Sequence, residues 1–305
     1  MKIKSLLMTA AVLLMGPLTG QAKLKVVTSV PSLASITEMV GGDLVQVESI
    51  TRGVQDTHFV EAKPSYMVML NRADLLIYNG MELEMGWLPL LIRGARNQKI
   101  APGSPGHLNA SLALLEEDIL ERVRGEVDRT MGDVHPLGNP HWLLNPHHGL
   151  KAGKLIAAKL IELDHKNRET YERNLEKFER ELTNRIADWE TRAKPLRGLE
   201  VVCYHPHWSY LVGWLGMVNA GFIELRPGIP PAPRHQMEII NLMQQKNIKL
   251  AIISSWKEPS RARVVADQAG AELLVLPGEV QALPGTDDYF AWIEYMVAKL
   301  IEAAG

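Results

Sequence analysis

The sequence predicts an α/β protein with two similar βα domains, whose mostly parallel sheets are flanked by helices and joined by one long rigid helix. Three observations support this fold class. Short β-branched runs alternate with helical segments from Lys23 onward, which is the pattern of βα units. The same alternation returns in the C-terminal part of the chain. Between the two stretches lies a charged segment with a single apolar stripe at helical spacing.

The first domain is predicted to span residues 23–163. Its strands are expected at Val26–Ser29, Leu44–Ile50 and Asp74–Tyr78, and its helices at Ser32–Val40, Pro64–Asn71 and Trp87–Arg93. Gly41 and Gly42 end the first helix. The stretch from Glu126 to Gly149 is the longest without periodicity, and long irregular loops are usually functional or disordered.

The connecting segment, residues 164–195, is predicted to be mostly one helix from Asn167 to Ala193. Its apolar residues recur at steps of four and three, and Pro195 and Gly198 stop it. A coiled-coil dimer is the competing interpretation, but the stripe is short for the three to four heptads that a coiled coil needs. A helix lying along both domains explains the stripe better.

The second domain is predicted to span residues 196–305 and repeats the scheme of the first. Its strands are expected at Leu199–Tyr204, Leu250–Ser254 and Glu272–Leu276, and its helices at Arg234–Gln245, Arg261–Ala269 and Asp287–Ala303.

Composition limits the possible functions. The 305 residues carry a formal net charge of -2, with 46% hydrophobic residues, which excludes a disordered tail, a small disulfide-stapled domain and a strongly basic nucleic-acid binder. There are 10 histidines but one cysteine, Cys203, so no intramolecular disulfide can form. Cys203 lies in a predicted buried strand and is interpreted as a core residue, with a thiolate ligand as the alternative.

The N-terminal 22 residues have the features of a secretory signal peptide. Lys2 and Lys4 precede an apolar run from Leu6 to Met15, and Gly20-Gln21-Ala22 offers a cleavage site. An uncleaved anchor is the alternative, but the run is short for a membrane span. No cysteine lies near the cleavage point, so we expect a soluble, secreted periplasmic protein that is not lipid-anchored. Cleavage gives a mature charge of (33 - 2) - 35 = -4, which argues against nucleic acid or anionic lipid as partner.

Four residues are candidate metal ligands. His58 lies in the turn after the second strand, His141 in the irregular loop, and His205 at the carboxyl end of a strand, where open α/β sheets place their ligands. Asp287 opens the last predicted helix. Each has a structural alternative: the histidines as surface residues, and Asp287 as a favourable acid after the N-cap candidate Thr286. Spacing alone leaves a metal site as one possibility.

Five segments resemble one family in its own order. They are Asp56-Thr57-His58 with Lys63-Pro64-Ser65, Ala73 to Gly80 with Leu83-Glu84, Asn139-Pro140-His141-Trp142, Tyr204-His205-Pro206-His207-Trp208, and Asp287-Asp288-Tyr289-Phe290. The chain resembles the substrate-binding proteins of bacterial ABC importers for zinc and manganese, the zinc-uptake family. The resemblance covers essentially the whole mature chain and implies four ligands in a cleft between the domains: His58, His141, His205 and Asp287.

This chain departs from the family pattern in two places. Asn145-Pro146 stands where the family usually has Asp-Pro, and the long histidine-rich loop of many zinc-specific members is missing. His135, beside Asp133, and the pair His147 and His148 are the nearest equivalents of that loop. They are candidate auxiliary ligands, with plain exposed loop histidines as the alternative.

Three imidazoles and one carboxylate suit tetrahedral zinc, whereas manganese prefers more carboxylate ligands. The resemblance implies a protein that captures Zn²⁺ and delivers it to an inner-membrane ABC permease. A monomer is expected, with a periplasmic metallochaperone as a further candidate partner. The alternatives are a manganese-specific member of the family, a zinc hydrolase or a surface adhesin. A hydrolase needs an open metal position and a general base, and no His-Glu-x-x-His pattern occurs in the chain.

Overall fold

A computed structural model of the chain describes residues 22–123, 132, 134–224 and 228–305. Residues 1–21 of the predicted signal peptide, and Asp133, lie outside the described residues. Among the helices that the structure describes, none is both long and apolar enough to cross a membrane.

Two four-stranded sheets form the framework, and every strand pairing in them is parallel. The strands of the first sheet are β1 (Leu24–Thr28), β2 (Val45–Ser49), β3 (Leu75–Tyr78) and β4 (His107–Asn109). Those of the second are β5 (Glu200–Cys203), β6 (Val218–Phe222), β7 (Leu250–Ser254) and β8 (Glu272–Leu276). The orders β2-β1-β3-β4 and β6-β5-β7-β8 repeat one topology, which confirms the predicted fold class.

Nine α-helices surround the sheets in the described part of the chain. They are α1 (Pro31–Gly41), α2 (Pro64–Asn71), α3 (Leu88–Ala95), α4 (Pro146–Leu163), α5 (Arg168–Arg192), α6 (Ser209–Trp214), α7 (Pro233–Lys246), α8 (Ser260–Ala269) and α9 (Tyr289–Ala304). We call residues 22–163 the first half and residues 196–305 the second half.

Helices cover both faces of each sheet, as is usual for parallel sheets. Successive residues of a strand point to opposite faces and therefore pack against different helices. In the first sheet Val27 and Leu76 pack with the apolar residues of α2 and α3, whereas Val26 and Leu75 pack with those of α1 and α4. In the second sheet Ala251 and Ile253 pack with α7 and α8. On the opposite face of this sheet lie Leu250 and Ile252, which belong to the same core cluster as Val26 and Leu75 of the first sheet. The apolar core is therefore continuous from one half to the other.

The long helix α5 lies along this shared core. Its stripe is buried at Tyr171, Phe178, Leu182, Ile186 and Trp189. The helix contacts α1 and α4 of the first half and α9 of the second. The stripe thus packs inside one chain, as predicted, and not as a coiled-coil seam. The exact domain limits, 163/164 and 195/196, stay predictions.

The sequence analysis missed four elements: β4, α4, α6 and β6. The helix α4 begins inside the stretch assigned as irregular, at Pro146, and the side chain of Asn145 caps it by accepting a hydrogen bond from the His147 amide. The strand β4 has only three residues, and β6 contains Asn219, Ala220 and Gly221, which give little β-branched signal.

The packing of α5 can be tested by truncating one buried residue of its stripe. Leu182 is 0% exposed, so Leu182→Ala should lower the free energy of unfolding by about 2–5 kcal/mol. Thr183→Ala, at the neighbouring exposed position, should change it by less than about 0.5 kcal/mol. Chemical denaturation measures both, and equal effects would contradict the burial of the stripe.

Candidate metal centre

Three histidines from separate loops meet where the two halves face each other. His58 lies in the loop after β2, His141 directly precedes a 3₁₀ turn at Trp142–Leu144, and His205 follows β5 by two residues. One ring nitrogen from each lies within 4.8 Å of the others. Of the four predicted ligands, the structure brings together these three.

The three rings are packed closely, and His205 is buried while His58 and His141 are partly buried. Their centroids are 5.2 Å apart for His58 and His141, 5.7 Å for His58 and His205, and 5.8 Å for His141 and His205. The Nε2 atom of His141 is buried and makes no hydrogen bond within the part of the chain that the structure describes. Burial lowers the pKa of His205, and it lowers that of His141 well below the usual range. Both rings are therefore neutral at pH 7, as metal ligation requires.

Two carboxylates orient two of the rings. The Nδ1 atom of His58 lies 2.8 Å from Asp56 Oδ1, and that of His205 lies 2.9 Å from Glu224 Oε2. A neutral imidazole that donates its Nδ1–H to a carboxylate leaves the Nε2 lone pair for a metal. Burial opposes ionisation of Asp56, but the hydrogen bond from His58 and the ammonium group of Lys257 outweigh burial and lower the pKa of Asp56. This carboxylate is therefore charged at neutral pH.

His135 approaches the cluster from the loop before His141. Its Nε2 atom lies 3.2 Å from Nε2 of His58. Two nitrogens bound to one tetrahedral zinc, each about 2.0–2.1 Å from the metal, would be about 3.3 Å apart. His135 therefore lies within reach of a metal bound by His58, but it does not belong to the group of ring nitrogens that all lie within 4.8 Å of one another.

Asp287 is not part of this cluster. Its side chain is exposed, and the helix α9 begins two residues later, with Asp288 as the N-cap that accepts a hydrogen bond from the Ala291 amide. Thr286 is buried and its hydroxyl donates to the Leu283 carbonyl. Asp288 therefore serves the start of α9, whereas Asp287 lies at the surface, outside the group of converging ring nitrogens.

His147 and His148 lie in the first turn of α4 and not in a loop. His147 is 2.9 Å from Glu190 Oε1 at the surface. His148 is buried, with Nδ1 3.0 Å from the Trp142 carbonyl and Nε2 3.5 Å from Asp118. Neither belongs to the group of ring nitrogens that meet at the cleft. Both are held in other contacts, so we do not propose them as auxiliary ligands.

Among the residues that surround the ligands, Glu224 and Glu279 were not predicted from the sequence, whereas His207 stands in the segment His205-Pro206-His207. Glu224 follows β6, and because this strand was not predicted, the sequence did not indicate that Glu224 lies at the carboxyl end of a strand. His207 is buried with its ring 4.2 Å from that of His141. Glu279 is also buried, and it accepts hydrogen bonds from the Ser32 amide and hydroxyl across the halves. Burial raises the pKa of Glu279 to about 7. Cys203 lies buried in β5, as predicted, and burial raises the pKa of its thiol.

The chain matches a known protein family over almost its whole length. Residues 26–303 match the family model described as zinc-uptake complex component A, periplasmic. The chain belongs to this family. FimA of Streptococcus parasanguinis, named a metal ABC transporter substrate-binding lipoprotein, is 31% identical over 99% of this chain and 98% of its own. PsaA of Streptococcus pneumoniae, named a manganese ABC transporter substrate-binding lipoprotein, is 25% identical over 92% of this chain and 88% of its own.

Solved structures have the same fold. A ZnuA crystal structure aligns with a TM-score of 0.75 and 22% identity, covering 93% of this chain and 100% of that one. The laminin-binding protein Lmb of Streptococcus agalactiae, described as having adhesin and metal-transporting activity, aligns with a TM-score of 0.74 and 25% identity, covering 92% and 100%. This family member is therefore a metal-binding substrate-binding protein of an ABC transporter and not an enzyme.

The comparisons correct one expectation. Several relatives are named lipoproteins, which are lipid-anchored. This contradicts the expectation that the protein is not lipid-anchored. That expectation rested only on the lack of a cysteine near the predicted cleavage point, in a segment outside the described residues, and it is withdrawn.

The carboxylates that orient the ligands provide a test of the metal centre. Asp56→Asn should weaken zinc binding by about 10–100-fold, because the amide no longer fixes the His58 ring as a charged acceptor does. Glu224→Gln should weaken it similarly. Competition titration with a chelating dye measures the affinity, and unchanged affinity in both variants would contradict the assigned roles.

Proposed function

We propose that the protein captures Zn²⁺ with His58, His141 and His205 and delivers it to the permease of its ABC transporter. The observation that carries this proposal is the convergence of three histidine ring nitrogens within 4.8 Å. Two of these rings come from the first half and one from the second. Because one chain supplies ligands from both halves, we propose a monomer as the binding unit. An accessory metallochaperone is a further candidate partner for loading the site.

Zinc is favoured over manganese by the chemistry of the donors. The three converging side chains are imidazoles, which suit zinc, copper, iron and nickel, whereas manganese prefers carboxylate and water ligands. A nitrogen-rich site also binds zinc more tightly than manganese in the general order of divalent metals. His135, whose Nε2 atom lies 3.2 Å from that of His58, is a candidate for an auxiliary nitrogen ligand.

The decisive binding experiment compares two variants. His141→Ala should lower zinc affinity by at least about 100-fold, because it removes one of the three converging ring nitrogens, whereas losing a group that only orients a ligand costs about 10–100-fold. Asp287→Ala, at the exposed position before α9, should bind zinc as the natural chain does. Metal analysis and zinc titration of the mature protein measure both. Unchanged stoichiometry and affinity in His141→Ala would exclude the proposed site.

Zinc affinity should also depend on pH in a defined direction. Protons compete with the metal for each ring nitrogen, so affinity must fall on acidification. Burial lowers the pKa of His141 and His205 from the ordinary 6.5, so this competition begins below about pH 6.5. Affinity should therefore be nearly constant between about pH 7 and 8 and decrease as the pH falls toward the lowered pKa values of these rings. A titration series showing no loss of affinity at any acidic pH at which the protein stays folded would argue against histidine ligation.

A further inference from the structure

Lys257 occupies a special position behind the proposed ligands. It lies in the turn after β7, in the second half, where its amide donates to the Ser254 carbonyl. Its Nζ atom is 3.0 Å from Asp56 Oδ2 and 3.9 Å from Glu224 Oε1. These are the two carboxylates that orient His58 and His205. One ammonium group therefore contacts both orienting groups, one from each half.

The charged side chains of Asp56, Glu224 and Lys257 form a network that is mostly shielded from water. Asp56, Glu224 and Lys257 are 18%, 4% and 20% exposed at their side chains, so water screens them poorly. Two partly desolvated carboxylates near each other require a counter-charge. Burial opposes the charge of Lys257, but Asp56 and Glu224 outweigh burial and raise its pKa, so the ammonium is present at neutral pH.

The backbone holds both ends of the network. Gly53 belongs to the loop that carries Asp56, and a Cβ atom there would lie 2.1 Å from the Val280 carbonyl oxygen of the second half. At Gly278 a Cβ atom would meet the ring of Trp256, the residue before Lys257. The loop that carries Asp56 and the turn that carries Lys257 thus both pack closely against the segment 278–280. This shared support holds the backbone on both sides of the Lys257–Asp56 ion pair.

We propose that Lys257 is a positioning residue for metal binding, which holds Asp56 and Glu224 so that His58 and His205 point their Nε2 atoms at one shared metal position. This role rests on the proposed function. For removal of the lysine side chain, this positioning role predicts a change in zinc affinity opposite to the change expected from the loss of its charge alone. Removing a nearby positive charge would by itself strengthen the binding of a dication. Losing the positions of two ligands would weaken it.

The experiment measures zinc affinity in three lysine variants of the mature protein. Lys257→Met should weaken zinc binding roughly 10-fold or more, as expected for groups that orient ligands. Lys257→Arg, which keeps the charge and two carboxylate contacts, should recover most of the affinity. Lys246→Met removes a different ion pair of the second half, with Glu200, and should have no effect. Thermal unfolding without metal checks that each variant folds. If Lys257→Met does not fold, Lys257→Gln is measured in its place.

The visible spectrum of bound Co²⁺ supplies a second readout, since it depends on ligand number and geometry. Lys257→Met should change this spectrum, and Lys257→Arg should preserve it. Equal or tighter zinc binding in Lys257→Met would overturn the inference, as would weaker binding with an unchanged cobalt spectrum. Failure of the proposed function is a separate result: the natural chain and His141→Ala would then bind zinc equally.

Discussion

A histidine ligand must present a neutral ring nitrogen in a fixed direction, and the rest of this site depends on that constraint. Asp56 and Glu224 meet it for His58 and His205 by holding Nδ1 at 2.8 and 2.9 Å. For His141, burial lowers the pKa of the ring and keeps it uncharged at neutral pH. Lys257 contacts both carboxylates and prevents their charges from standing unopposed. The ligand geometry is therefore set by charged groups one layer behind the rings.

The fold places these groups by bringing two copies of one sheet topology together at a shared core. Loops after β2 and β5 carry His58 and His205 to the same point, where open parallel sheets generally bind ligands. The helix α5 packs against elements of both halves, and Ser32 of α1 donates two hydrogen bonds to Glu279 of the second half. These contacts limit relative movement of the halves. A site formed between them is consequently precise without a disulfide.

Much of this arrangement was predictable, and the failures have physical causes. The helix α2 and the strands β7 and β8 were predicted at their observed limits, since Pro64 marks the start of α2 and the two strands are short apolar runs. The short β4 and the glycine-containing β6 lack such a pattern. Asp287 was assigned through its neighbours in sequence, but Asp288 caps α9 and leaves Asp287 in solvent. Glu224 and Lys257 reach the site only through tertiary packing, for which local sequence has no signal.

X-ray absorption at the zinc edge of the metal-loaded protein tests the central claim most directly. We predict a first shell made only of nitrogen and oxygen, with at least three imidazoles and a mean distance of about 2.0–2.1 Å. His141→Ala should lose one imidazole contribution or fail to load. A shell with fewer than three imidazoles in the natural chain, or a sulfur contribution at about 2.3 Å, would contradict the assignment of His58, His141 and His205 as ligands.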